Sequence, residues 1–198
     1  YQSTVTLTAT AEDGFMFKEW LNREDRAVLS TENPLTLQAL QNYDLIARFV
    51  IDTFSVDYTA IVLYDDNTFE TLATAGSITG NENGLMFGEV ATITAHPAEH
   101  YEWSHWATST EDITSLGADQ TLNFRVLSDT MLYPVFTPAH YTVTIENTDS
   151  RATYNGAGEY AYGDEVTVYV SNVDPNYDWM GWMENGTTVT TDTFYTFV

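Results

Sequence analysis

The chain has 198 residues, 43% of them hydrophobic and 14% aromatic, no cysteine, and a formal net charge of −23 from 29 acidic and 6 basic residues. That apolar content supports packed cores rather than disorder; the missing thiols exclude disulfides and thiolate zinc sites; and so acidic a field repels nucleic acid and anionic membranes. No apolar run approaches the roughly 20 residues of a membrane span, and Tyr1 opens no signal peptide, so the chain reads as a processed product or a piece of something longer.

Tyr1 to Thr10 alternates Val5, Leu7 and Ala9 with threonines, which predicts a strand. It runs on to Phe15, Phe17 and Trp20, an aromatic group suited to plug a small sheet's core. Leu21 to Asn33, with Arg23, Glu24, Asp25 and Arg26, is expected to be a loop, with a helical turn or a charged hairpin as alternatives. Thr36 to Ala39 and Leu45 to Val50 are expected strands, turned by Gln41-Asn42-Tyr43-Asp44. A linker near Asp52-Thr53 leads to a β pattern over Phe54 to Tyr64, a turn at Asp65-Asp66-Asn67, and a glycine-containing loop over Gly76 to Gly84.

From Gly84 to Trp106 the chain reads GLMFGEVATITAHPAEHYEWSHW. Gly156 to Trp182 repeats this as GAGEYAYGDEVTVYVSNVDPNYDWMGW. Phe87-Gly88-Glu89 stands for Tyr162-Gly163-Asp164, and Tyr101, Trp103 and Trp106 stand for Tyr177, Trp179 and Trp182. Val166, Val168 and Val170 alternate with Thr167 and Tyr169 as in a half-buried strand. The first copy keeps only the later part of the pattern, with Phe15, Phe17 and Trp20 in the aromatic places. Copies one and two close alike, on Leu45-Ile46-Ala47-Arg48-Phe49 and Leu132-Tyr133-Pro134-Val135-Phe136. Between them, Ser109-Thr110-Glu111-Asp112 could cap a short helix. In the third copy Tyr141, Val143 and Ile145 predict a strand that turns through Asn147 to Ser150, and Asn185-Gly186 predicts a type I′ hairpin turn.

This order of turn, alternating strand, aromatic-x-aromatic-x-x-Trp, Asn33-Pro34-Leu35-Thr36-Leu37 and closing strand resembles the divergent InlB B-repeat, related to the Listeria–Bacteroides repeat of bacterial surface proteins. The resemblance implies a mainly β chain of tandem small, β-grasp-like repeat modules in an elongated array. The modules are 1–53, N-terminally incomplete; 54–138, with an insert over 64–78; and 139–198, C-terminally incomplete. It also implies an extracellular, cell-surface location.

The residues bearing chemistry form no expected site. His96 and His100 have helical metal spacing, but Pro97 lies between them and strands flank them, so surface loop histidines are the simpler reading. No EF-hand, nucleophile elbow or phosphate loop is present. No catalytic, cofactor-binding or metal residues are therefore nominated, and calcium at clustered surface acids stays open without a site. Asn185-Gly186-Thr187 is a glycan acceptor only where the host glycosylates. The aromatic groups read as core rather than as a sugar platform because all three copies repeat them, which makes Trp20, Trp106 and Trp182 expected buried equivalents. The expected function is a non-catalytic spacer, stalk or adhesion module. One alternative is a head-to-tail filament whose subunits complete each other's terminal sheet edges. The other is a carbohydrate-binding module using exposed aromatics. Expected partners are neighbouring repeats or subunits, or a host or glycan ligand, with no nucleic acid and no membrane insertion.

Overall fold

The computed structural model describes residues 3–146 and 150–198, and among them the fold is strands with a single 3₁₀ turn at Ala73–Ala75. None of the described residues belongs to a helix long and apolar enough to cross a membrane. The strands of the first copy are β1 (Thr4–Leu7), β2 (Phe15–Asn22), β3 (Val28–Ser30), β4 (Leu35–Gln38) and β5 (Leu45–Ile51). The second holds β6 (Thr53–Phe54), β7 (Val56–Tyr58), β8 (Ile61–Leu63), β9 (Phe69–Thr71), β10 (Gly76–Gly80), β11 (Leu85–Met86), β12 (Val90–Pro97), β13 (Tyr101–Ala107), β14 (Ser115–Gly117), β15 (Thr121–Arg125) and β16 (Thr130–Pro138). The third holds β17 (His140–Val143), β18 (Thr153–Asn155), β19 (Gly158–Ala161), β20 (Val166–Ser171), β21 (Trp182–Glu184), β22 (Thr187–Thr190) and β23 (Phe194–Phe197).

The chain packs as two compact units. Unit one is Tyr1–Tyr58, Ile78–Ala95 and Asp119–Leu132, and unit two is Thr59–Ser77, His96–Ala118 and Tyr133–Val198. Unit one holds the β3-β2-β5 sheet, the β1–β4 pair, the β6–β11 pair and most of the β10-β12-β15 sheet. Trp20, Leu35, Val56, Leu85, Ile93 and Val126 are buried there. Unit two holds the β17–β19 pair, the β18-β20-β23 sheet, the β21–β22 hairpin and most of the β14-β13-β16-β8-β9 sheet. Its largest buried side chains are Trp106 and Phe136, with Val166, Val168 and Val170 buried along β20 while Thr167 and Tyr169 face out. The period-two alternation of that stretch places its valines as the sequence predicts.

The copies share registers as well as residues. β2 pairs antiparallel with β5 with an irregularity between Phe17 and Glu19, and β13 pairs with β16 with one between Trp103 and His105. The hairpins β2–β3, β13–β14 and β21–β22 each shift register immediately after the tryptophan, at Trp20, Trp106 and Trp182. In each hairpin the extra residue is on the strand that follows, Leu29, Leu116 or Val189, a bulge that strengthens the local twist. The Phe17–Trp20, Trp103–Trp106 and Trp179–Trp182 centroids lie 5.5, 5.2 and 5.3 Å apart.

Several expectations change. Leu21 to Asn33 is a charged hairpin, not a loop: Asn22 N–H donates to Ala27 O at 2.9 Å, while the Asn22 and Asp25 side chains accept the N–H groups of Glu24 and Ala27. Short polar side chains close the turn that the charges seemed to open. Gly76 to Gly80 is strand β10 rather than loop, paired with β12, and at its two ends only glycine fits. A Cβ at Gly76 would fall 2.3 Å from Phe136 Cζ, and one at Gly80 2.2 Å from Thr92 O. Ser109 caps no helix; its Oγ accepts the N–H groups of Glu111 and Asp112 in a turn before β14. Asn147 to Asp149 of the expected Asn147–Ser150 turn lie outside the described residues.

Trp182 corrects the expected core. Trp20 and Trp106 are 7% and 2% exposed, but Trp182 is only half-buried and its buried indole N–H lacks a partner among the described residues. The reason is topological. β2 lies between β3 and β5, and β13 between β14 and β16, whereas β21 pairs with β22 alone among the described residues.

Candidate functional site: the joints between repeats

Each copy approaches its aromatic group through the same turn. Phe15 N–H donates to Glu12 O at 3.1 Å, Tyr101 to Ala98 O at 3.1 Å, and Tyr177 to Asp174 O at 2.9 Å. In copies one and two the residue before the aromatic, Gly14 or His100, is left-handed, with φ of 81° and 69°. Glycine takes that conformation without strain, whereas histidine needs support from its surroundings.

The carbonyl of that left-handed residue starts a two-bond relay into the next copy. In unit one, Asp52 N–H donates to Gly14 O at 2.8 Å, and Phe87 N–H donates to Asp52 O at 3.1 Å. In unit two, Ala139 N–H donates to His100 O at 2.8 Å, and Tyr162 N–H donates to Ala139 O at 2.8 Å. Asp52 and Ala139 are thus the residues at which one repeat hands over to the next. Phe87 and Tyr162 belong to the repeated Gly-acid turns. Glu89 N–H reaches Met86 O at 3.0 Å while Glu89 Oε2 accepts Met86 N–H at 2.9 Å. Asp164 N–H reaches Ala161 O at 3.0 Å while Asp164 Oδ2 accepts Ala161 N–H at 2.9 Å. Gly88 and Gly163, with φ of 79° and 91°, permit both turns.

Side chains close each relay from above. Phe87 lies flush on Gly14, so that a Cβ there would fall 2.2 Å from its Cδ1. At the second joint the Tyr162 ring stacks on His100 at 4.4 Å and 13°, and His100 Nδ1 lies 2.7 Å from Tyr141 Oη. Stacking and this hydrogen bond supply the support that the left-handed histidine needs. Beside it, His140 Nε2 meets Asp65 Oδ2 at 2.9 Å, and that hydrogen bond raises the histidine pKa. Burial, then the neighbouring Tyr162 and Glu70, raise Tyr101, and the 2.6 Å hydrogen bond to Glu70 pushes Tyr64 up to about 12.

His96 lies in β12, His100 serves the joint, and among the described residues no three His, Cys, Asp or Glu side chains are grouped to hold a metal ion. Asn185 and Gly186, at φ of 50° and 80°, form the exposed turn between β21 and β22. The joints themselves escape a reading by motif, because their hydrogen bonds run from backbone to backbone. The available signal was positional: Gly14 and His100 stand equally far before Trp20 and Trp106.

A family model described as the divergent InlB B-repeat domain matches residues 1–53 and 68–139. Neither the curated proteins nor the solved structures yield a match. The two matched stretches carry the turn, bulge and aromatic pair described above and cover more than half of the chain, which belongs to the divergent InlB B-repeat domain family.

Proposed function

We propose that the chain is a non-catalytic repeat segment of a bacterial surface protein, acting outside the cell as a spacer or adhesion module. The observation that carries this reading is the joint, built twice by the same relay. A segment that works by holding successive modules in fixed order needs a reproducible link, and repeats coupled to their neighbours act through geometry. The strongly acidic surface suits a crowded, solvated exterior. The test is to display an epitope on this segment at a bacterial surface and then delete residues 54–138. A spacer loses antibody access to the epitope on shortening, whereas unchanged access contradicts the reading.

A second reading rests on β21, which pairs with β22 alone among the described residues. A strand from another copy, laid where β5 lies on β2, would cover Trp182 and propagate head to tail. Sedimentation across a concentration series tests it: growth in size supports strand exchange, and constant monomer mass removes it.

A further inference from the structure

One antiparallel strand pair recurs in each copy with polar side chains facing each other on its outward side. Thr6 Oγ1 lies 3.5 Å from Thr36 Oγ1 across β1–β4, Thr92 Oγ1 donates to Asn123 Oδ1 at 2.7 Å across β12–β15, and Thr167 Oγ1 lies 2.8 Å from Thr196 Oγ1 across β20–β23. Two residues further along the strand, copy two sets Thr94 opposite Thr121, their hydroxyls 2.9 Å apart. Copy three sets Tyr169 opposite Phe194. Thr94 and Tyr169 are equivalent, each standing six residues after its turn glycine, Gly88 or Gly163.

Packing of the repeat does not require these two rings, since copy two folds the same strand pair with threonines. Nor does the end of the chain expose them: copy two has chain on both sides, and Thr92, Thr121 and Asn123 of its equivalent face are exposed all the same. Tyr169 and Phe194 are both exposed. Side chains directly opposite on one face have Cβ atoms ~4.5–5.5 Å apart, so the two rings form a continuous aromatic strip. Asn155 of β18, opposite Tyr169, extends the strip with an amide, and Thr167 and Thr196 border it with hydroxyls. β18, β20 and β23 hold no charged residue, in a chain with 29 acidic ones.

Neutrality and stacking area together select the occupant. A charged partner finds no counter-charge on this face. An apolar one would desolvate the bordering hydroxyls and the amide without replacing their hydrogen bonds. A sugar ring matches both, with a C–H face for the aromatic rings and hydroxyls for the polar border. We propose that the outward face of β18, β20 and β23 binds a neutral oligosaccharide. Consecutive pyranose rings stack on Phe194 and Tyr169, their slightly positive C–H groups against the negative aromatic faces, and the sugar chain crosses the strands towards Asn155. This site deepens the adhesion-module reading and rests on it.

The test titrates the purified intact chain with cellohexaose, xylohexaose, maltohexaose and N-acetylchitohexaose and follows its backbone amide resonances. It is done in solution, so failure here is separate from the outcome of the epitope-access experiment. Saturable shifts in β18, β20 and β23 with at least one of the four sugars are expected. Tyr169→Thr and Phe194→Thr install residues that copy two carries in the same strand pair, so the fold is kept. Each should weaken binding about tenfold, the worth of one lost ring stack, while Tyr169→Phe should retain it. No saturable shift with any of the four, shifts centred on β21 and β22 instead, or undiminished binding to the doubly substituted chain would overturn the proposal. Concentration-dependent self-association through β20 and β23 without sugar would give the face to a second copy and overturn it too.

Discussion

Trp106 and Trp182 show how the same side chain at the same point of a repeat acquires different worth. Trp106 is 2% exposed, so Trp106→Ala removes a full core ring and should cost ~3–5 kcal/mol in denaturant unfolding. Trp182→Ala should cost clearly less, because its ring is half-buried and its N–H lacks an acceptor among the described residues. Gly14→Ala makes a sharper demand. It adds a Cβ 2.2 Å from Phe87 at φ 81°, and the left-handed backbone strain alone is worth ~1–3 kcal/mol. A Gly14→Ala melting temperature equal to that of the parent would refute the close packing at that joint. His140 gives a titration. Asp65 raises its folded pKa above the unfolded value, so the stabilisation is fully present below the ordinary histidine pKa and is lost as pH rises through the raised one. Proton-detected titration should find His140 above the ordinary value, and Asp65→Asn should return it. At this scale repetition within a strand pattern picked out Trp20 and Trp106 as core, but Phe15 and Tyr177, expected in the same plugs, are 47% and 49% exposed. It predicted Trp182 to be buried like the other two, and that failed because its burial depends on a neighbouring strand and not on the residue.

Strands and turns were legible where period and turn chemistry agreed. The valines of β20 alternate as expected, and Asn185-Gly186 forms its hairpin because both residues take the left-handed conformation that a type I′ turn requires. The reading failed where a tertiary partner or a side-chain cap decided the outcome. Gly76 to Gly80 is a strand because it pairs with β12, with Phe136 occupying the space of a Gly76 Cβ, and the 23–27 turn is tight because Asn22 and Asp25 accept its amides. Sequence periodicity contains neither fact. β21 yields a prediction at this scale. With one strand partner among the described residues, it has fewer bonds to break than β2 or β13, so its hairpin should open first. Limited proteolysis should cut within 178–192 before it cuts 15–30 or 101–117. Prior cleavage in either of the other two hairpins would show that the unpaired edge does not set local stability.

At the scale of the whole chain, the division by packing and the division by sequence repeat are different. Each compact unit encloses one joint, the relay through Asp52 in unit one and the relay through Ala139 in unit two. The repeat grammar made the copies visible, but it could not show the handover, since Asp52 and Ala139 share no side-chain chemistry and act through their backbones. The net charge of −23 adds a further expectation. Self-repulsion is screened by salt, so raising ionic strength from near zero to about 0.15 M should raise the melting temperature. The central claim is that the joints are built elements, as well fastened as the strands they connect. Amide hydrogen exchange tests it directly. The N–H groups of Asp52, Phe87, Ala139 and Tyr162 should be protected to a degree comparable with β2 and β13, and Tyr162→Ala should deprotect Ala139 while leaving the Trp106 strand protected. Exchange of those four amides at the rate of open loops, with the flanking strands still protected, would contradict it.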